Sequence, residues 1–315
     1  MLSEDFIEDE QNSVNVQQPE YNRVYNIPEY DISSLNPEDV PLIGIIGESM
    51  FGKTTLLLDL VEQLYSYFLF GFFFCPTRIS DEKLQKAFME TLTWDDFNIP
   101  MLATLFEYQR CVRQMVDGDK SRVPWTFIFS DDCGFDVSVL KHKQVVNLAQ
   151  NGRHYHMFGC LNLQQIKAIS PGVRQNLKMI IALNTTNGQR IEDLWTEFFS
   201  GLSWTKQEFK DVFEQLTEDY RVLILDKSKA KITSDPEKCV FSYRARLHFP
   251  KRHRMGHPLF WEFDRYYAKR NDPLALQRFL FPQRETNQRR KPRTRAQIVK
   301  RQIQQIEDVD EREEF

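Results

Sequence analysis

Long apolar runs are scarce in this 315-residue chain. The most extended, YFLFGFFFC at 67–75, falls well short of the about 20 residues that a bilayer-spanning helix needs, so no transmembrane segment is expected. The opening MLSEDFIEDE is acidic and without an apolar stretch, so no signal peptide is expected either. Cysteine is sparse: there are five, widely spaced and without a CxxC pair. That speaks against a disulfide framework and for reduced thiols inside a cell. His248, His253 and His257 fall in HFPKRHRMGH with no Cys or acidic cluster beside them, and the neighbouring Arg and Lys repel a cation, so zinc is not expected. The chain lacks the NKxD motif by which GTPases read their base, any local Ser or Cys nucleophile motif, and internal repeats.

Charge is present but unevenly placed. The formal net charge of −4 conceals acidic ends and a basic block. Residues 1–40 are rich in Asp and Glu, with Arg23 as their sole cation. Residues 244–301 are dominated by Lys and Arg, and the acids return after 301. Such a block suggests a polyanionic partner, although it could also pair with the acidic ends. Polar composition predicts a poorly ordered acidic arm over 1–40, a folded domain over 41–270, and a basic linker over 271–315. That linker contains TNQRRKPRTR and ends in an amphipathic helix carrying Val299, Ile303 and Ile306, with an acidic tail.

Short apolar segments alternate with helical periods along the central domain. Strands are predicted at 42–46, 67–75, 125–130, 157–163, 178–183 and 220–225, and an alternating, half-exposed strand at 239–249. Helices are predicted from Lys53 to about Tyr65, over SDEKLQKAFMETL, and at 100–116, 138–149 and 206–216. The last begins with a Thr205/Glu208 capping box. The fold class is therefore α/β: a mostly parallel sheet with helices on both faces and antiparallel edge strands toward the C-terminus.

One loop carries specific chemistry. GESMFGKT, residues 47–54, fits GxxxxGK[ST] and sits between the strand LIGII and a helix, the context a phosphate-binding loop requires. Gly47 allows the chain to leave the strand. The backbone N–H groups of Glu48, Ser49, Met50, Phe51, Gly52 and Lys53 can then form a nest for phosphate oxygens, with the helix dipole behind them. Lys53 reaches the β- and γ-phosphates, the Thr54 hydroxyl ligates Mg²⁺, and Thr55 closes the binding stretch. ATP and Mg²⁺ are the expected cofactors.

Such a loop needs an acid at the tip of a neighbouring strand, and WTFIFSDD supplies two. Asp131 is assigned to the metal through water, and Asp132 to the base that positions attacking water. A second acid argues for hydrolysis over mere binding, although Asp is shorter than the Glu common in that role. Gln164, at the end of MFGCLNLQ, suits a sensor of the γ-phosphate, with Asn162 as its rival. A late-arriving Arg on the γ-phosphate can add on the order of 10³-fold or more to turnover. Arg174 and Arg153, near the sensor strand, are the candidates to act from one subunit on the next. The aromatics at 259–267 have helical spacing and read as core rather than base-stacking platforms. The surrounding basic tract is the candidate surface for the polyanionic partner.

Together, GESMFGKTTLL, FFFCPT, FIFSDDC and GRHYHMFGCLNLQQIKAISPGVRQNL resemble the genome-packaging ATPases of nucleocytoplasmic large DNA viruses, members of the FtsK/HerA superfamily of motors. The likeness covers about 40 to 265. It departs at Gly159 and Asn162, where apolar and small hydroxyl residues are usual, and at Ser170, where a second Pro is common. The resemblance implies a RecA-like core with the Gln164 strand lying between the phosphate-loop strand and the acidic strand. It also implies a homo-oligomeric ring, usually a hexamer, that pumps double-stranded DNA into a preformed capsid and contacts capsid or portal proteins. It makes Lys53 and Thr54 nucleotide ligands, Asp131 the Mg²⁺ partner, Asp132 the catalytic acid-base and Gln164 the sensor, so that Lys53, Asp131, Asp132, Gln164 and Arg174 form the catalytic set, and it makes the host cytoplasm, virus factory or virion the location. Other readings are a plasmid-transfer or chromosome-segregation motor, a nucleotide kinase, and a non-hydrolysing adaptor. The long separation of residues 54 and 131 suits an inserted strand better than a compact kinase.

Overall fold

The computed structural model describes residues 27–77, 81–133, 137–229, 235–249, 253–268 and 280. The arm over 1–26 and the tract from 281 onward, including the helix assigned to Val299, Ile303 and Ile306, lie outside the described residues.

Eight strands form one sheet: β1 (Leu42–Ile46), β2 (Phe68–Phe74), β3 (Thr93–Trp94), β4 (Trp125–Ser130), β5 (Met157–Leu163), β6 (Met179–Ala182), β7 (Arg221–Asp226) and β8 (Val240–Arg244). Their order is β3-β2-β4-β5-β1-β6-β7-β8. The pairs from β3 through β6 are parallel, while β7 and β8 run antiparallel. Both neighbours of β1 are therefore parallel strands, and every β1 residue is buried, as expected of a strand covered on both faces. The α/β class, the parallel core and the antiparallel edge stand as read from the sequence. So does the Gln164 strand, β5, between β1 and β4.

Helices cover both faces. One layer holds α1 (Lys53–Leu64) and α2 (Glu82–Ala87). The other holds α3 (Ile99–Met115), α5 (Lys143–Asn151), α6 (Pro171–Asn176), α7 (Gly188–Leu194), α8 (Lys206–Leu216) and α9 (Pro258–Tyr267), with α4 (Val137–Leu140) preceding α5. Phenylalanine does much of the filling. All seven residues of β2, FLFGFFF, are buried. Phe73 stacks on Phe88 at 4.0 Å between centroids, and Phe70 on Phe260 of α9 at 4.4 Å. Offset aromatic pairs add to the burial of their area. Phe260 and Phe263 are core residues, as their helical spacing suggested.

Several expectations are corrected. Residues 27–40, read as part of the arm, pack against the sheet. Tyr30, Ile32, Leu35 and Val40 are buried, and the Tyr30 N–H donates to the Ser242 carbonyl at 2.8 Å. The acids Asp31, Glu38 and Asp39 stay exposed between them, which is why composition alone concealed the packing. The helix predicted through Leu92 ends at Ala87, and Thr93 and Trp94 pair with β2 as a short edge strand. The helix predicted at 138–149 is two helices, because the His142 ring accepts from the Gln144 N–H at 3.2 Å and caps a new start. The strand predicted at 239–249 stops at Arg244, whose partner Arg221 is the first residue of β7.

Beyond that register a carboxylate takes over. Asp59 of α1 is fully buried and accepts from the Tyr243 hydroxyl at 2.5 Å, the Arg246 N–H at 3.0 Å and the Arg246 Nε at 2.8 Å. The edge is thereby tied to the helix that follows the phosphate loop. Removing this acceptor leaves buried donors unsatisfied, which costs about 1–3 kcal/mol. Asp59→Ala is therefore expected to lower stability by about 2 kcal/mol in denaturant unfolding. Glu82→Ala, which removes only an exposed pair with Lys86, is expected to stay within about 0.5 kcal/mol. Equal midpoints for the two variants would show that the Asp59 cluster is not a clamp.

Candidate nucleotide-binding site

The strands β1, β4 and β5 end together at one edge of the sheet. Ile46 is level with Leu163, and Ser130 with Leu161. Residues just beyond β1 and β4, together with the end of β5, are thus brought to one place by register.

The loop 47–52 follows β1. A Cβ on Gly47 would lie 2.8 Å from the Cβ of Leu183, so glycine is required there by close packing rather than by a left-handed turn. Gly52 does need the left-handed region, with φ of 93°, and it caps α1 with no side-chain acceptor. The first turn of α1 also contains no acid. Its leading N–H groups and positive dipole end are left to an incoming anion. Lys53 is nearly buried and folds back over the loop, its Nζ donating to the Gly47 carbonyl at 3.1 Å and lying 3.8 Å from Asp132 Oδ1. Burial pulls its ammonium below the usual lysine range, while the charges of Asp132 and Asp131 work the other way.

Asp131 sits directly after β4 and is 3% exposed. Its Oδ2 accepts from the Thr54 hydroxyl at 3.2 Å, and its Oδ1 accepts from Asn162 Nδ2 at 2.5 Å. Burial, followed by the neighbouring Asp132 charge, pushes its carboxyl up to about 6. A buried carboxylate beside a second one is a seat that a cation would stabilise. Asp132 is more open, and its backbone is left-handed with φ of 56°. Its Oδ1 accepts from Gln164 Nε2 at 2.7 Å, and the same amide reaches Ser49 Oγ at 3.4 Å. The two amides, rivals in the sequence, thus serve different acids: Asn162 holds Asp131 and Gln164 holds Asp132. The Asn162 side-chain carbonyl oxygen is buried with no partner among the described residues.

Two residues at this edge, Thr185 and Arg190, escaped the sequence reading. Glu48 of the loop accepts from the Thr185 hydroxyl and lies 3.3 Å from Arg190 NH1. Both partners follow β6, in NTTNGQR; that polar run was visible, but only the adjacency of β6 and β1 gives it meaning. A cavity of about 220 Å³ lies between this side and the Gln164 side, lined by Gly47, Gln164, Lys167, Thr185 and Arg190. Of the two candidate trans arginines, Arg174 is engaged within its own chain, its Nε to Glu197 at 2.9 Å and its NH1 to the Ile169 carbonyl at 2.6 Å. Arg153 is exposed just before β5, at the end of that strand remote from Gln164.

The family described as "Poxvirus A32 protein" matches residues 28–239. Uncharacterized protein 088R of Invertebrate iridescent virus 3 is 26% identical over 203 residues, covering 64% of this chain and 75% of that protein. Uncharacterized protein 015R of Frog virus 3 (isolate Goorha) is 23% identical over 232 residues, covering 70% and 68%. Among solved structures, the genome packaging NTPase B204 of Sulfolobus turreted icosahedral virus 2 in complex with AMP aligns with a TM-score of 0.47 at 13% identity, covering 68% of this chain and 100% of that one. The pCW3 conjugation coupling protein TcpA aligns with a TM-score of 0.46 at 12% identity, covering 76% and 67%.

The loop's dependence on its lysine is directly testable. Replacing a charge that hydrogen-bonds phosphate costs at least about 1.5–3 kcal/mol, or more than about ten-fold in affinity. Lys53→Ala should weaken ATP binding by at least that factor in equilibrium titration. Unchanged affinity would show that residues 47–54 do not hold the triphosphate.

Proposed function

Because the chain belongs to the poxvirus A32 protein family, we propose that it binds ATP with Mg²⁺ at residues 47–55, hydrolyses it, and uses the energy to move double-stranded DNA into a preformed viral capsid. The observation that carries this reading is the meeting of Thr54 and Asp131 at 3.2 Å, with Lys53 and Asp132 beside them. A nest of N–H groups, an ammonium, a hydroxyl and two carboxylates is the donor set that a magnesium-bound triphosphate requires.

Thr54 and Asp131 would hold the Mg²⁺, Asp131 through water. Hard oxygen donors and a neighbouring phosphate suit this ion, and it needs no larger acidic cage; no cluster of three or more His, Cys, Asp or Glu suited to a metal occurs among the described residues. The ion would neutralise charge that develops on the phosphates. The protein's own groups do the remainder. Lys53 leaves the Gly47 carbonyl for phosphate oxygens when the loop fills. Asp132, on a strained backbone and only partly exposed, orients and deprotonates the attacking water. Gln164 bridges Asp132 and Ser49, so its amide reports whether a γ-phosphate lies between base and loop.

A ring of identical subunits supplies the final cation. Arg153 is too far along β5 to serve its own site, which fits action on a neighbour; Arg174 would first have to leave Glu197. Contact with DNA is assigned to the basic tract 244–301, by backbone phosphates rather than base edges. Of its described cations, Arg246 is bound to Asp59 and Arg254 lies over the Trp261 ring at 4.9 Å, so the free positive charge for DNA falls to others. No helix among the described residues is long and apolar enough to cross a membrane. Work in the cytoplasm or virus factory, with capsid or portal proteins as partners, completes the reading.

Two measurements test it. The wild-type chain should hydrolyse ATP several-fold faster with long duplex DNA, and a rate indifferent to DNA would remove the translocase reading. Loss of a general base lowers turnover by about 10²–10⁴-fold. Asp132→Asn should therefore bind ATP as the wild type does while turnover falls at least about 10²-fold. Normal turnover in that variant would return Asp132 to a structural role.

A further inference from the structure

The nucleotide edge of the sheet also receives a residue from the antiparallel side. Because β7 runs against β6, its first residue, Arg221, lies at the same edge as the phosphate loop. The residue before it, Tyr220, stands beside that loop. A Cβ built on Gly52 would come within 3.8 Å of Tyr220 Cδ1, and no other atom outside Gly52's immediate neighbours would lie within 4 Å of it.

Three features of Tyr220 are unusual together. Its side chain is 71% exposed, although tyrosine normally covers much of its ring. Its backbone is left-handed, with φ of 60°, and so is that of Asp219, with φ of 52°. Two consecutive non-glycine residues in that region are sparsely populated, and such outliers concentrate where a site needs a side chain held in place. The loop is fixed from beneath: Thr217 is buried, its hydroxyl donates to the Phe213 carbonyl, and its own carbonyl accepts from Asn184 at the end of β6. Phe51, in the loop itself, is partly buried and packed against the core, whereas Tyr220 is mostly exposed.

We infer that Tyr220 is the platform on which the purine base of the bound nucleotide stacks, holding the base at the Gly52 end of the loop while the phosphates lie along α1's first turn. This rests on the reading of residues 47–55 as a nucleotide site and adds the base subsite to it. A flat, exposed ring beside Gly52 matches the face of a purine, and stacking needs no hydrogen-bond partner. Truncating such a platform typically weakens binding by about ten-fold per base.

The test compares a ligand with a base and one without. The full chain is titrated with ATP and with inorganic tripolyphosphate, both with Mg²⁺. Tyr220→Ala should weaken ATP about ten-fold and leave tripolyphosphate unchanged, while Tyr220→Phe should match the wild type for both. Tripolyphosphate binding also reports that the variant is folded. As an independent readout, Tyr220→Trp should show indole quenching by ATP, beyond that of the wild type, and none by tripolyphosphate. If the wild type binds both ligands and Tyr220→Ala leaves their affinity ratio unmoved, the base platform is wrong and the phosphate loop stands. If the wild type binds neither, the nucleotide site itself falls, and the platform with it.

Discussion

A hydroxyl on the first turn of α1 and a carboxylate beyond β4 meet at 3.2 Å, although β5 lies between their strands. Everything proposed for this protein depends on that approach. It is possible because β1, β5 and β4 run parallel, with β1 and β5 ending level and β4 two residues short of them, so that a helix leaving β1 and a turn leaving β4 overhang the same ground. It is held because Asp131 is sealed from water and fixed on its other oxygen by Asn162, which comes from the strand between. A carboxylate so placed is uncomfortable when alone, and its raised proton affinity is the electrostatic signature of that strain.

The rest of the fold serves to keep that edge rigid. The phenylalanines of β2 pack on Phe88, Phe260 and their neighbours on both faces, and they anchor the acidic side of the sheet. Asp59 ties α1 to the segment beyond β8, so the phosphate-loop helix is joined to the strand edge from which the basic tract departs. On the same side of β1, Glu48 links the loop to Thr185 and Arg190 beyond β6. On the β5 side Gln164 reaches Ser49 of the loop at 3.4 Å, so the loop is braced from both neighbouring strands, and the only described residues in left-handed geometry within it are Met50 and Gly52.

Much of this was legible in the sequence because it is local. The strand–GESMFGKT–helix unit, the paired acids after WTFIFS, and Gln164 at a strand end are each carried by a few consecutive residues, and each lies where it was expected. What could not be read is what depends on pairing between distant segments. Thr93 and Trp94 became a strand only because β2 offered an edge. The alternation at 245–249 was real, but β7 had no residue left to pair with it, and Asp59 claimed Arg246. Likewise Asn162 and Gln164 could not be assigned to separate acids from spacing, since strand alternation gave both the same face. Arg174 looked free on its loop because Glu197, its partner, is distant in sequence. Tyr220 carried no signal at all until antiparallel β7 brought it to the loop.

The most direct test of the central claim is a crystal structure of the chain with Mg²⁺ and a non-hydrolysable ATP analogue. The account predicts the ion between the Thr54 hydroxyl and the Asp131 side, with the triphosphate along residues 47–54 and Lys53 turned from the Gly47 carbonyl onto its oxygens. A nucleotide bound elsewhere, or an ion with no approach to either Thr54 or Asp131, would contradict it.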